Sequence, residues 1–481
     1  MKYCGKWLAL LYHLFSLFLR TVSFSMNGRQ HQQHLLETKL GSGQPKSAKI
    51  ILTRLQRVDP TITSYKTTKI IEQDSAEGFV IEARTTQNDV KHLFVKYVDP
   101  KKYSHKVWTD LRRTIHYTRT EVRFYTEILP LLKENIRDGW PVCPEIYLAE
   151  YDLEGLMEED ESTEAQQTNI PSSLPSSSSA RLEPQYNEND VSALEGRYGI
   201  IVMDNAEKAS NCFQRAPLRQ PMAVAGVKAI AKFHAAAFQN KEILEKVSDR
   251  LCRYGGSYHL KNRNPAEMSL LVSAWEGFVK EVAPVAPRGF FDKTKMLDLG
   301  RRVHHAAEYI STVLSPSPSE KYATIVHGDY KAMNVFFKGT EENPCPTPIL
   351  IDFASTGVGL GVSDVAMHVA HVALPEDLEN GMEDLLLKEY YGALQGALPE
   401  DLKGTYSEEQ AIRHYQFAVV DYFRFILGKQ WNKVTLEVFQ KRSKNTNFAM
   451  VNRSVQAALS FAERTDRYLS MIEKDMEKQQ K

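Results

Sequence analysis

The chain has no surplus of either charge: sixty lysines and arginines stand against sixty aspartates and glutamates. No global field therefore points to nucleic acid or to a membrane surface as the partner. Cysteine is scarce. Cys4, Cys143, Cys212, Cys252 and Cys345 are odd in number and never spaced as C-x-x-C. This argues against a disulfide framework or a zinc site and favours a reducing, cytoplasmic compartment. Long apolar runs are also nearly missing. The exception is Trp7–Leu19, preceded by Lys2 and Lys6 and broken by His13 and Ser16. It is short for a bilayer but suits a signal-peptide core, with Ser23 and Ser25 as a small-x-small cleavage site. Three readings stay open for residues 1–26: a cleaved targeting segment, a membrane anchor, or an upstream extension with Met26 as the working start. Membrane contact is expected only through that segment, if it is retained.

What is present fits a soluble globular protein, with 42% hydrophobic and 25% charged residues. A length of 481 residues suggests two or three structural units. Thr68–Ile71, Phe79–Arg84 and Leu93–Val98 are short β-prone runs separated by polar segments. Val107–Leu132 carries charges at helical spacing and is expected to end near Pro130. Ile146–Ala149 offers a fourth strand. Residues 154–197 change character, with the acidic run EEDESTEA and the Ser/Pro-rich PSSLPSSSSA. Such composition cannot bury enough apolar surface to offset ordering, and it reads as a disordered insertion. Tyr198–Asp204 (YGIIVMD) then reads as a buried strand. Helical patterns follow at Met222–Phe238, Ala266–Val282, Lys293–Leu314, Leu378–Leu394, Glu408–Leu427 and Asn447–Met476. Only Thr324–Val326, Val335–Phe337 and Ile349–Asp352 interrupt them as strands.

Three motifs carry chemistry. His327–Asn334 reads HGDYKAMN. Phosphoryl transfer to a hydroxyl needs a carboxylate to take the hydroxyl proton and oxygen ligands for magnesium. Asp329 and Asn334 supply both within one loop, at the five-residue interval of a kinase catalytic loop. Gly328 lets the backbone bend beside them. Ile349–Phe353 reads ILIDF, an apolar strand ending in Asp352. With Val335–Phe337 as its hairpin partner, it brings Asp352 beside Asn334, as a magnesium-binding pair requires. Lys96 lies within the apolar LFVKYV and must leave the core or find a partner. Glu121, in TEVRFYTEILP, is the natural partner and Glu127 the runner-up, because Glu121 precedes Phe124 and Tyr125, whose rings are expected to face the core.

HGDYKAMN followed by ILIDF resembles the group of aminoglycoside phosphotransferases, choline kinases and ecdysteroid kinase-like proteins. The resemblance covers roughly residues 60–430, and EVRFYTEILP looks especially like the ecdysteroid kinase-like branch. It implies an α+β, protein kinase-like two-lobed fold with a small β-rich N-lobe over residues 47–204 and a larger helical C-lobe over residues 205–476. It also implies ATP and Mg2+ as cofactors and a small hydroxylated molecule as partner. By similarity Asp329 is the base, Asn334 and Asp352 hold magnesium, and Lys96 with Glu121 serves the ATP phosphates. Met203 and Asp204 fall at the lobe hinge, where the backbone of Val202–Asn205 would face adenine. Asp364, in GVSDVAMHV, resembles a structural aspartate of the group. The sequence departs from the pattern in places. The phosphate-covering loop has only Gly78, within DSAEGF, and no G-x-G-x-x-G. Lys331 stands where ecdysteroid kinase-like members often carry an aromatic; it either steadies the transferred phosphoryl or faces solvent.

Two other readings compete. A protein kinase would show D-F-G and A-P-E, whereas the metal motif here continues Asp352-Phe353-Ala354 and no A-P-E follows. A non-catalytic scaffold would have lost the base, the metal ligands or the lysine, and all are present. The aromatic helix at residues 414–431 reads either as core or as the lining of an acceptor pocket, with Asp421 the residue hardest to bury without a partner.

Overall fold

Runs of β-branched and aromatic residues at the N-terminal end pair into a five-stranded sheet. The computed structural model describes residues 46–72, 76–106, 108–136, 138–156 and 192–479. The segment 1–26 and most of the segment 154–197 lie outside the described residues. By contacts the chain divides into two units, residues 1–66 with 83–90 and residues 67–82 with 91–481. That division crosses the first two strands.

The first unit holds helix α1 (Lys46–Val58), the start of β1 (Ile62–Glu72) and the end of β2 (Glu77–Thr85). Asp59 turns the chain between α1 and β1 by accepting from the Thr61 N–H at 2.9 Å and the Thr61 hydroxyl at 2.6 Å. Asn88, at φ 67°, closes the turn after β2 in the left-handed region that asparagine tolerates.

The second unit holds the body of the sheet, in the order β1-β2-β3-β5-β4. β3 (Val90–Val98) and β4 (Ile146–Asp152) both run antiparallel to β5 (Tyr198–Asp204). Helix α2 (Trp108–Arg123) does not stop at Pro130 as its sequence suggested. It passes through a wide turn at Phe124–Ile128 into α3 (Leu129–Asn135), where Pro130 sits in the first turn. A first-turn residue has no intrahelical acceptor for its N–H, so proline costs little there. The rest is mainly helical, as expected: α4 (Gln220–Ala235), α5 (Lys241–Arg250), α6 (Leu271–Val282), α7 (Leu299–Val313), α8 (Val362–Val372), α9 (Met382–Ala397), α10 (Glu408–Phe425) and α11 (Val455–Gln479). A small antiparallel sheet followed by a larger helical part is the α+β architecture that the motifs imply.

One apolar cluster runs from Val122 and Phe124 through Ile201 and Met203 to Tyr422, Trp431 and Ile472. Within it Phe278 stacks on Trp431, with ring centroids 4.4 Å apart and planes 11° apart. Such a pair adds about 1 kcal/mol beyond area burial. A satellite cluster joins Val98, Leu111 and Ile115 to Leu153, Leu156 and Leu194. The two described ends of the 154–197 segment thus belong to the packed body. Among the described residues no helix is long and apolar enough to cross a membrane.

Candidate active site

After the short strands β6 (Cys212–Phe213), β7 (Cys252–Tyr254) and β8 (Thr324–Val326), one hairpin assembles the site. β9 (Val335–Gly339) pairs antiparallel with β10 (Pro344–Leu350), with Leu350 opposite Val335. Just beyond this pair the Ile351 N–H donates to the Asn334 carbonyl at 3.0 Å. Asn334 and Asp352 are therefore brought to the same end of the hairpin. Asp352 adopts φ 67°, a strained conformation for a non-glycine residue that the surrounding contacts must hold.

Asp329 lies in the loop before β9. Lys331 Nζ is 2.8 Å from its Oδ2, and Asn334 Nδ2 donates to the same oxygen at 3.1 Å and to the Asp329 carbonyl at 2.8 Å. In this amide orientation the Asn334 nitrogen is spent on Asp329, which leaves the Asn334 oxygen for a cation. Asp329 Oδ1 has a single neighbour in hydrogen-bond range among the described residues, Ser257 Oγ at 3.5 Å.

The loop itself is held from behind. Asp364, on α8, accepts from the backbone N–H of His327 at 2.7 Å and of Gly328 at 2.9 Å. His234 meets Asp364 at 3.0 Å through Nε2, and its Nδ1 lies 2.9 Å from the Tyr390 hydroxyl. The side chains of Asp364, His234 and Tyr390 are all buried. His327 Nδ1 accepts the Asp329 N–H at 3.3 Å, so its Nε2 carries the proton given to the Ile351 carbonyl at 3.0 Å. Burial lowers the His327 pKa, in keeping with that neutral ring. Gly328 has φ +81°, and a Cβ there would lie 2.1 Å from the Ser355 carbonyl oxygen. Only glycine fits.

Lys96, on β3, makes two ion pairs, to Glu121 at 2.6 Å and to Asp352 at 2.8 Å. Its expected helix partner is therefore Glu121; Glu127 instead pairs with Arg250 at 2.8 Å. Burial alone would lower Lys96, but Asp352 and Glu121 outweigh it and hold the ammonium protonated. Burial likewise works against the Asp352 carboxylate, yet Lys96 and Lys331 hold its pKa at about 2. Glu121 is the group that yields: burial, only partly countered by Lys96, pushes it up to about 7. Burial lowers Lys331 too, and Asp329 and Asp352 more than restore it. Phe353 anchors the segment by stacking on Phe124, with centroids 4.0 Å apart, and meets Tyr125 edge-on at 5.7 Å. The rings of Phe124 and Tyr125 do face the core.

Other residues singled out in the sequence stand differently. Gly78 lies in β2, where a Cβ would come 2.8 Å from the Phe94 ring. Ring packing accounts for this glycine, and residues 73–75, between β1 and β2, lie outside the described residues. Met203 is buried and pairs with Phe94 and Ile146 across the sheet. The Asp204 N–H donates to the Glu145 carbonyl at 3.0 Å and the Asn205 N–H to the His92 carbonyl at 3.1 Å. Those two hinge donors are thus spent within the protein, and Asp204 Oδ1 receives the Tyr147 hydroxyl at 2.8 Å. Asp421 is taken by Arg424 at 2.6 Å, both fully buried. Of the aromatic residues on that segment, Tyr415 bonds to Glu383, and Trp431 bonds to Asn452. The Tyr422 hydroxyl lies 3.2 Å from His371 Nε2, and its pKa is raised first by burial and then by the Asp329 carboxylate.

Sequence reasoning missed Ser257, His234 and Tyr390. A signal existed for Ser257 in the Gly255-Gly256 pair before it, a mark of close backbone approach. A single histidine or tyrosine in a helical pattern carries no comparable signal.

Among the described residues no cluster of three or more His, Cys, Asp or Glu side chains is placed to hold a metal. The Asn334 oxygen and the Asp352 carboxylate form a two-ligand oxygen set, which suits magnesium completed by phosphate and water and does not suit a metal caged by protein alone.

Fold and motifs together resemble those of protein kinase-like proteins. The model of the ecdysteroid kinase-like family matches residues 177–403, a span that contains Asp204, HGDYKAMN and ILIDF, the motifs on which the resemblance was drawn. Similar solved structures include a microcompartment-associated aminopropanol kinase, with 10% identity, TM-score 0.40, and 88% of this chain and 98% of that one covered. A Plasmodium vivax ethanolamine kinase shows 9% identity and TM-score 0.39 over 90% of this chain and 94% of its own. An aminoglycoside phosphotransferase from Streptomyces rimosus shows 10% identity and TM-score 0.31 over 79% and 97%. No curated protein matches the chain in sequence.

Proposed function

We propose that the protein is an ATP-dependent kinase that transfers the γ-phosphate to a hydroxyl of a small acceptor. The observation that carries this reading is the convergence of Asp329, Lys331, Asn334 and Asp352 at one hairpin end, with Lys96 ion-paired to Asp352. Asp329 is the base. Its Oδ2 is engaged by Lys331 and Asn334, so Oδ1 is the oxygen that takes the acceptor proton. The acceptor oxygen then attacks the γ-phosphorus, the bond to the bridging oxygen breaks, and ADP leaves. Lys331 fixes the carboxylate and stands beside the transferred group as a point charge. Asn334 and Asp352 would hold magnesium, which neutralises phosphate charge when bound. Lys96, kept protonated and steered by Glu121, faces the phosphates.

The chain after Asp352 favours a small acceptor over a protein. Gly357–Gly359 forms a strand and α8 begins at Val362, so few residues are left to build a peptide platform. Purified protein with Mg-ATP and a panel of hydroxylated metabolites should release ADP with at least one of them. No ADP with any small alcohol, together with efficient phosphorylation of a folded protein, would reject the substrate class.

A further inference from the structure

The loop at residues 254–258 is pinned far more firmly than a surface connection needs. It follows β7 (Cys252–Tyr254), and each main-chain group facing the catalytic loop is bonded. The Gly255 N–H donates to Val358 at 2.8 Å, Gly256 to Ser355 at 3.0 Å, and Ser257 to Gly328 at 2.8 Å. Asn262 donates to the Tyr254 and Gly256 carbonyls, both at 2.8 Å. Arg263 donates to the Ser257 carbonyl at 3.3 Å and is itself gripped by Glu267. Arg424 donates to the Tyr258 carbonyl while paired to Asp421. Two ion pairs, both largely buried, thus converge on one short loop. Buried charges of this kind stabilise weakly for what they cost in desolvation and are better explained by what they hold in place.

What they hold is Ser257 Oγ, 3.5 Å from Asp329 Oδ1. That separation is long for a direct hydrogen bond. An oxygen placed ~2.8 Å from both atoms completes a triangle with them. Its proton would point at Oδ1, the carboxylate oxygen left free by Lys331 and Asn334. The next residue, Tyr258, is buried, meets Tyr422 edge-on at 5.1 Å and donates its hydroxyl to the Ser363 carbonyl at 2.8 Å.

We infer that Ser257 orients the acceptor hydroxyl toward Asp329 Oδ1, and that the pairs Arg424–Asp421 and Arg263–Glu267 are positioning residues that act through the Ser257 loop. This rests on the kinase reading above. It also gives Asp421 a role that its burial against Arg424 otherwise leaves unexplained: it does not touch the acceptor but holds the residue that does.

The test measures Mg-ATP turnover by the full chain with water, and then glycerol, as the acceptor. Ser257→Ala should lower kcat ~10-fold, the worth of one well-placed hydrogen bond, with the ATP KM within ~2-fold of wild type. Ser257→Thr keeps the hydroxyl and should recover most of the rate. Asp421→Asn should reproduce the Ser257→Ala loss in kcat; if it fails to fold, the Ala and Thr pair at Ser257 decides alone. Wild-type kcat in Ser257→Ala, with Asp329→Ala inactive, overturns this inference and leaves the kinase reading standing. Equal loss in Ala and Thr overturns it as well. Wild-type turnover in Asp329→Ala, or no ADP release by the wild-type chain with water, glycerol or any member of the metabolite panel, overturns the kinase reading itself.

Discussion

Lys96 Nζ lies 2.8 Å from Asp352 Oδ1, a residue 256 positions further along the chain, and 2.6 Å from Glu121 Oε2. One ammonium therefore ties strand β3, helix α2 and the end of the β9–β10 hairpin together.

Removing that ammonium leaves Asp352 and the buried Glu121 without the cation they share. Lys96→Met should destabilise the fold by about 3 kcal/mol, the usual cost of breaking a buried pair from one side. Adding Glu121→Gln to Lys96→Met should cost little further, because Glu121, already pushed up to about 7 by burial, is protonated once Lys96 is gone. Urea unfolding of the two single variants and the double variant measures both. Additive losses would show that the pair is not coupled.

Gly328→Ala should lose both stability and activity. Its φ of +81° is strained for alanine, and the added Cβ would meet the Ser355 carbonyl oxygen at 2.1 Å. A loss of ~3 kcal/mol or more is expected from strain and overpacking together. Thermal melting is the check, and an unchanged Tm would mean that the catalytic loop is not held against Ser355.

His259 makes stability depend on acidity. Its Nδ1 accepts the Lys261 N–H at 3.2 Å, so Nε2 donates to the Ser315 hydroxyl at 2.6 Å and the ring is neutral. Burial lowers its pKa to about 4. The folded pKa is depressed below the unfolded value of about 6.5. The contribution is therefore complete above that value and is lost as pH falls through about 4. A shift of this size corresponds to about 3 kcal/mol. His259→Gln should flatten the fall of stability between those two pH values; an unchanged slope would place the proton uptake elsewhere.

Residues 157–191 should be replaceable by a short Gly/Ser linker with little change in Tm, since loop closure grows slowly with length. A wider cut from 154 to 197 removes Leu156 and Leu194 from the cluster around Ile115 and Leu153 and should lower Tm by several degrees. A large drop from the narrower cut would show that the Ser/Pro-rich segment packs on the body.

The hairpin geometry was legible because it is local: two apolar runs a short turn apart can bring Asp352 only to Asn334. The pairing of Lys96 with Glu121 was legible as chemistry, since a lysine in an apolar strand needs a carboxylate. Asp421 shows where that logic stops. The need for a partner was visible, but the partner is Arg424, one turn along the same helix, and the pair serves a loop that ends at Tyr258. Neither His234 nor Tyr390 carries a local pattern, because His234 meets Asp364 and Tyr390 from helices far apart in the chain. Pro130 misled because a proline that ends one helix and a proline that begins the next look the same in sequence.

The most direct measurement of the central claim is a single turnover of Mg-ATP by the Asp329→Asn variant, with the acceptor found by the metabolite screen. Asparagine keeps the shape and cannot take the proton, so phosphoryl transfer should slow by at least ~10²-fold while ATP still binds. Transfer at the wild-type rate would contradict the assignment of Asp329 as the base, and with it the mechanism proposed for this site.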